Sequence, residues 1–336
     1  MTAESAGDDT TAGSVVFLIE SRGSAADEAA TLERGAAICQ IADAVIAVTG
    51  PGAKQCLQGL LTCDLEQPGA AALQYGALLT AKAMVVSDMW IAHIARGLAL
   101  YVPPQGKAPL LDTFQRSLPP RLARFTENTA RAVLRLVGPG ASDVLTQAGL
   151  PVPAAGRIVE HDDCVVALAP GGRPFVAQID CPAERAQQLE EQLAAAGALI
   201  SERALGLARI LAGWPALGAE IDDKTLPQEA RLDELGGVSH TKGCYLGQET
   251  VARIHFRGHV NKRVVGLAFG AKPESESLTV THQERTVGRL TSAGWFGAER
   301  GYLGLALLRR EVVAGEEVTA GGVTAKVAQL PFEPTA

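Results

Sequence analysis

Apolar and polar positions along the chain divide it into short, punctuated units. Ala44-Val45-Ile46-Ala47-Val48-Thr49 reads as a strand, and Gly50-Pro51-Gly52 ends it in a turn. Residues 53–61 then place Cys56, Leu57, Leu60 and Leu61 near one face of an expected helix. The same grammar returns at 130–137, a strand-like run that stops at Gly138-Pro139-Gly140 and leads into an expected helix over 141–148. Two copies of strand, Gly-Pro-Gly turn and short helix point to two related α+β halves.

Between the copies, residues 75–80 and 84–94 predict a hairpin turning at Ala81-Lys82. Its second strand carries Asp88 among Val85, Val86, Met89 and Trp90. Residues 98–102 extend that sheet, and 110–118 read as a helix stopped by Pro119-Pro120. In the second half, 157–160 and 164–169 predict a hairpin, 175–179 a strand and 182–196 a helix. Gly and Pro punctuation over 206–227 predicts an irregular wrap. From 263 onward, alternating apolar positions and Gly-rich turns predict a small all-β domain. At the other end, 1–12 are small and polar and are expected to fray, 15–19 read as a short strand and 25–35 as a helix. The expected partition is an extension over 1–30, a main region over 31–259 with halves near 31–129 and 130–259, and a β domain over 260–332.

Composition narrows the function classes. With 336 residues, 47% hydrophobic and 20% charged, the chain can bury the cores of two or three domains. A net charge of -7 gives no general surface for a phosphate backbone, so no nucleic-acid partner is expected. No uncharged apolar run reaches the roughly 18 residues of a membrane span, and the 15–19 run is too short for a secretory leader. The six cysteines are scattered without C-x2-C spacing, which suits reduced thiols in a cytoplasmic protein. Phosphate-loop, dinucleotide and H-E-x-x-H motifs are absent.

The chemistry concentrates in TKGCYLGQETVAR, residues 241–253. Lys242 and a helix starting after Gly243 would favour a Cys244 thiolate, whereas ordinary packing in a glycine turn would leave a neutral thiol. Glu249 and Arg253 have the spacing of an i,i+4 ion pair. Arg253, His255, Arg257, His259, Lys262 and Arg263 form a basic patch, suited equally to a polyglutamate tail, a phosphate or an acidic protein and to a charged hinge before the β domain. Its two imidazoles have no evident third metal ligand nearby. Asp88 needs a pocket, a partner or an outward-facing position, and Trp90 or Trp214 could supply aromatic surface beside it.

Lys242-Gly243-Cys244-Tyr245-Leu246-Gly247-Gln248-Glu249, followed by Val251-Ala252-Arg253 and Arg257-Gly258, resembles the signature of the YgfZ family of folate-binding iron-sulfur-cluster proteins. Leu57-Gln58-Gly59-Leu60-Leu61-Thr62-Cys63-Asp64 and Leu235-Gly236-Gly237-Val238-Ser239 resemble two further family phrases, and residues 301–310 its closing segment. The resemblance spans about 35–330. It implies an α+β aminomethyltransferase-like fold: two intertwined α+β portions around a central channel, and a C-terminal β-barrel-like domain. It also implies tetrahydrofolate as cofactor, iron-sulfur client enzymes or cluster carriers as partners, and transient contact with a cluster.

On that resemblance Cys244 is the candidate reactive thiol, with Lys242 and Glu249 positioning or polarising it, while Asp88, Trp90, Trp214 and Arg253 face the folate. Two stretches depart from the broader family. Arg209-Ile210-Leu211-Ala212-Gly213 has leucine where a glutamate would accept from a pterin, and residues 79–84 lack the glycine pair and acids of glycine-cleavage enzymes. A folate-dependent aminomethyl or methyl transferase and a noncatalytic client-binding scaffold are the alternatives.

Overall fold

The computed structural model describes residues 17–19, 25–274 and 277–333, so the segment 1–12 lies outside it. Both strand–turn–helix units form. Ala44–Thr49 and Ala53–Gln58 flank the first Gly-Pro-Gly, and Arg131–Val137 and Ala141–Gln147 flank the second. The leading glycine has a positive φ in each, 120° at Gly50 and 92° at Gly138. A side chain there would collide with the backbone carbonyl of Leu122 or Gly35, so the turns need glycine for space as well as for conformation.

Two antiparallel sheets grow from these units. The first runs in the order Leu73–Leu79, Val85–Ile94, Gly97–Val102, Ala44–Thr49, Arg124–Glu127. The second runs Leu199–Ile200, Ala37–Ile41, Arg131–Val137, Ala177–Pro182, Cys164–Leu168, Ile158–His161, with only its first pair parallel. Ala37–Ile41 precedes the first unit in the chain yet pairs with the strand of the second, which interlocks the two portions.

Helices Ala53–Gln58 and Pro104–Ser117 cover the outer face of the first sheet, where Leu57, Leu110 and Phe114 are fully buried. Ala141–Gln147 and Ala186–Ala195 cover the second through Leu145, Leu189 and Leu193. The inner faces meet in one central core, with Tyr75, Trp90 and Tyr101 from the first sheet and Val133, Val165 and Ala167 from the second. Each fully buried large side chain contributes about 1.5–3 kcal/mol by leaving water. A polar tie crosses the same interior: Tyr101 donates to Asp180 at 3.1 Å, and Asp180 also takes Arg131 Nε at 2.6 Å.

The irregular wrap expected over 206–227 begins later than the punctuation suggests. Glu202–Ala212 is a helix, capped by Ser201 Oγ accepting from Ala204 N at 3.2 Å and ended by Gly213 at φ 62°. Leu207 and Ile210, three apart on its face, are fully buried against Leu305 and Leu307, and that burial outweighs the low helix propensity of Gly206. The helix docks the central portions onto the C-terminal domain.

That domain is a closed barrel of six strands, Lys262–Phe269, Thr279–His282, Arg285–Trp295, Tyr302–Arg309, Glu317–Ala320 and Val323–Ala328. Pairing of Arg285–Trp295 with Tyr302–Arg309 closes it and removes the free edges an open sheet would expose. Phe17–Ile19 adds in parallel along Ser292, Ala293 and Gly294. Among the described residues no helix is long and apolar enough to cross a membrane.

Candidate functional site

Residues two apart on a strand share a face, so Asp88 points with Trp90 and Ala92 into the core between the sheets. Only 8% of it is exposed, which rules out the outward-facing alternative. Its Oδ2 accepts from the Tyr75 hydroxyl at 2.8 Å, while its Oδ1 is buried with no hydrogen-bond partner. Desolvation pushes its pKa up to about 6 against the lowering effect of the Tyr75 hydrogen bond. Burial, followed by the Asp88 charge, holds the Tyr75 hydroxyl well above its ordinary range.

Around this carboxyl the aromatic rings interlock. Trp90 and Trp214 stack at 5.5 Å with planes 18° apart, and Tyr75 meets Trp214 edge-on at 4.8 Å. Phe175 packs on Trp90 at 4.8 Å, and the Arg135 guanidinium lies 4.6 Å from the Phe175 centroid while pairing with Asp43 at 2.8 Å. The sequence reading missed Tyr75 and Phe175. Tyr75 was within reach of it, because it lies on the first strand of the expected hairpin, facing the strand that carries Asp88; the structure sets it directly opposite Trp90.

Phe175 also lines a cavity of about 700 Å³, together with Leu211, Ala212 and Phe296 and the arginines Arg34, Arg173 and Arg300. That volume suits a small-molecule site. Asp88, Trp90 and Trp214 do not line it, and Phe175 is the residue common to cluster and cavity. Leu211 does line it, so the residue that departs from the family phrase presents an apolar wall there. Arg209 of the same phrase is structural. It holds the fully buried Glu220 at 2.7 Å and Ser292 of the barrel at 2.5 Å, and Ser292 in turn donates to Glu220 at 2.7 Å.

The stretch around Cys244 docks against the segment 59–63. Lys242 Nζ donates to the carbonyls of Leu61 at 2.8 Å and Cys63 at 2.7 Å, Leu246 N donates to Gly59 O, and Thr62 Oγ1 donates to Gly237 O at 2.5 Å. Two of the phrases singled out in the sequence, 57–64 and 235–249, therefore meet in space. Tyr245 is buried in the central core, and Gly247, at φ 84°, passes so close to Thr80 that a Cβ would sit 2.7 Å from its carbonyl oxygen.

Cys244 itself is exposed. One expectation about it is corrected. The helix begins at Gln248, not after Gly243, because the left-handed Gly247 is its N-cap. The Lys242 ammonium is buried on two carbonyls and ties the loop to the segment 59–63. Burial lowers the Lys242 pKa, with the Cys63 and Asp64 charges opposing that. Glu249 and Arg253 are both exposed on the Gln248–Arg257 helix and form no ion pair with each other among the described residues.

Comparison with known proteins agrees with this architecture. The family model for the GCVT N-terminal domain matches residues 17–152, and that for the CAF17 C-terminal beta-barrel domain matches 261–334. The tRNA-modifying protein YgfZ of Vibrio vulnificus is 31% identical over 255 residues, 73% of each chain. Its namesake from Vibrio atlanticus is 29% identical over 262 residues, 76% of this chain and 75% of its own. The glycine cleavage system aminomethyltransferase T of Bartonella henselae superposes with a TM-score of 0.81 over 92% of this chain and 90% of its own, at 22% identity, and so shares the fold. By these relatives, the chain belongs to the YgfZ family.

Proposed function

We propose that this protein is a cytoplasmic, tetrahydrofolate-binding accessory factor for the assembly, maintenance or repair of iron-sulfur clusters in client enzymes. The observation that carries the folate reading is the buried, unpartnered Oδ1 of Asp88 within an aromatic cluster. A carboxylate oxygen without a donor is costly, and a flat heterocycle bearing N–H groups supplies both the donor and a stacking surface. Trp90 and Trp214 are the proposed stacking walls. The neighbouring cavity gives room for the remainder, with Arg34 and Arg173 suited to the carboxylates of a folate tail. Arg253, exposed on its helix, is assigned to a longer polyglutamate tail.

Cys244 is the proposed point of transient contact with a client thiol or a cluster, since it is displayed on a loop secured at Lys242, Tyr245 and Gly247. Glu249, exposed where the following helix starts, would position the approaching partner. The relatives are named for tRNA modification. We extend that to this chain through a client enzyme, because a net charge of -7 does not favour a direct grip on tRNA. Leu211 favours a second reading, a folate-free scaffold, since it removes an acceptor from the cavity wall.

Titration with tetrahydrofolate, followed by tryptophan fluorescence, separates the two. Because the rings pack against one another around Asp88, a ligand reaching it has to move one of them, and saturable quenching is expected in the wild type and weaker binding in Asp88→Ala. A wild type that gives no saturation refutes the folate reading. In cells at equal protein abundance, Cys244→Ala is expected to lower client iron-sulfur enzyme activity, and unchanged activity removes the thiol from the proposal.

A further inference from the structure

Three side chains that flank the Cys244 stretch in the sequence are left unexplained by the family phrases. Asp233 lies in the turn after Leu232, His240 in the stretch leading to Cys244, and His255 in the last turn of the Gln248–Arg257 helix. One ligand atom from each can be chosen so that all three lie within 4.8 Å of one another. The two imidazole rings lie face to face at 3.6 Å with planes 14° apart. His240 Nε2 is buried and has no hydrogen-bond partner. Stacking alone accounts for the rings, but it leaves that nitrogen unsatisfied and does not explain the carboxylate brought beside it.

We propose that Asp233, His240 and His255 bind one divalent first-row transition-metal ion of the zinc class, leaving a fourth position for water or an outside donor. Two neutral imidazoles and one carboxylate are a borderline donor set that suits zinc, cobalt or iron(II), whereas magnesium and calcium prefer all-oxygen shells. An ion bonded at about 2.0–2.2 Å requires its ligand atoms to draw in to roughly 3.4 Å apart. His255 is exposed at the end of its helix, so its ring has room to leave the stack as the ligand atoms draw together. The ion would tie the 233 turn, the loop that carries Cys244 and the following helix together. This site is independent of folate.

The test uses the full chain after chelator treatment, titrated with zinc by calorimetry and with cobalt(II) by visible absorption. The expected result is one ion per chain and ligand-field bands typical of nitrogen and oxygen donors. Loss of a direct ligand should cost at least as much as loss of a second-shell partner, about tenfold or more in affinity, in His240→Ala and His255→Ala. His255→Ala removes an exposed ring, so its result stands even if His240→Ala disturbs folding. Zinc should raise the melting temperature of the wild type and not that of His255→Ala. Cys244→Ser should bind as the wild type does. A wild type that binds no ion, a His255→Ala protein that binds as tightly as the wild type, or loss of binding in Cys244→Ser would each overturn the assignment.

Discussion

Replacing Asp88 by asparagine tests whether an unpaired carboxyl is held inside the aromatic cluster. Its pKa is raised from the ordinary 3.8 to about 6 in the folded protein. At about 1.4 kcal/mol per pH unit, that difference is worth on the order of 3 kcal/mol. Because the folded value is the higher one, the folded protein keeps a proton that the unfolded chain has released between about pH 4 and 6. The stability from this group is therefore complete below that window and is lost as pH rises through it. Asparagine does not titrate. Its buried amide carries a fixed cost of about 1–3 kcal/mol where no acceptor meets it, and a fixed cost adds nothing to the slope. The variant's stability relative to the wild type should thus climb by on the order of 3 kcal/mol across the window and then level off. Urea unfolding at constant ionic strength, read from the fluorescence of Trp90 and Trp214, measures this. A difference that stays flat to within about 0.5 kcal/mol across the window would refute the reasoning, because the carboxyl would then be solvated or paired.

Other outcomes follow from the same contacts. Lys242→Met should lower stability by about 2–4 kcal/mol, since the carbonyls of Leu61 and Cys63 lose their buried donor, and should raise proteolysis of the 239–247 loop. Arg209→Ala leaves the fully buried Glu220 charge without its guanidinium, and a loss of about 3–5 kcal/mol in chemical denaturation is expected. With a thiol-specific reagent Cys244 should react first, while burial, which pushes Cys63 up to about 12 and Cys39 and Cys181 up to about 11, protects those three until the protein unfolds. Cys244→Ser should change stability by less than about 0.5 kcal/mol, measured by the same denaturation.

Local signals made the strand–turn–helix units legible, because apolar periodicity and the glycine requirement at Gly50 and Gly138 are fixed within a few residues. The exchange of Ala37–Ile41 into the second sheet was not, because pairing with Arg131–Val137 is a long-range choice among strands of similar composition. Gly206 misled for the opposite reason: its weak propensity was local, and the burial of Leu207 and Ile210 that overrides it belongs to the barrel. At Asp88, inward and outward carboxylates leave the same alternation in sequence, so only the covering second sheet decides the direction. Lys242 was unreadable as an anchor, since the carbonyls it serves lie 181 and 179 residues away.

The anchors of the 242–247 stretch alternate with its free positions. Lys242 goes down onto two carbonyls, Gly243 and Cys244 stay out, Tyr245 goes down into the core, and Gly247 presses its backbone against Thr80 and Ala83. The Lys242 ammonium also lies 5.2 Å from the centre of the Tyr245 ring, so the two anchors brace each other beneath the cysteine. Its loop is already ordered, so a partner that meets Cys244 does not have to supply the entropy of fixing it. The family phrase therefore builds a mount that displays Cys244, and the segment 59–63 that receives the mount belongs to the same structural unit.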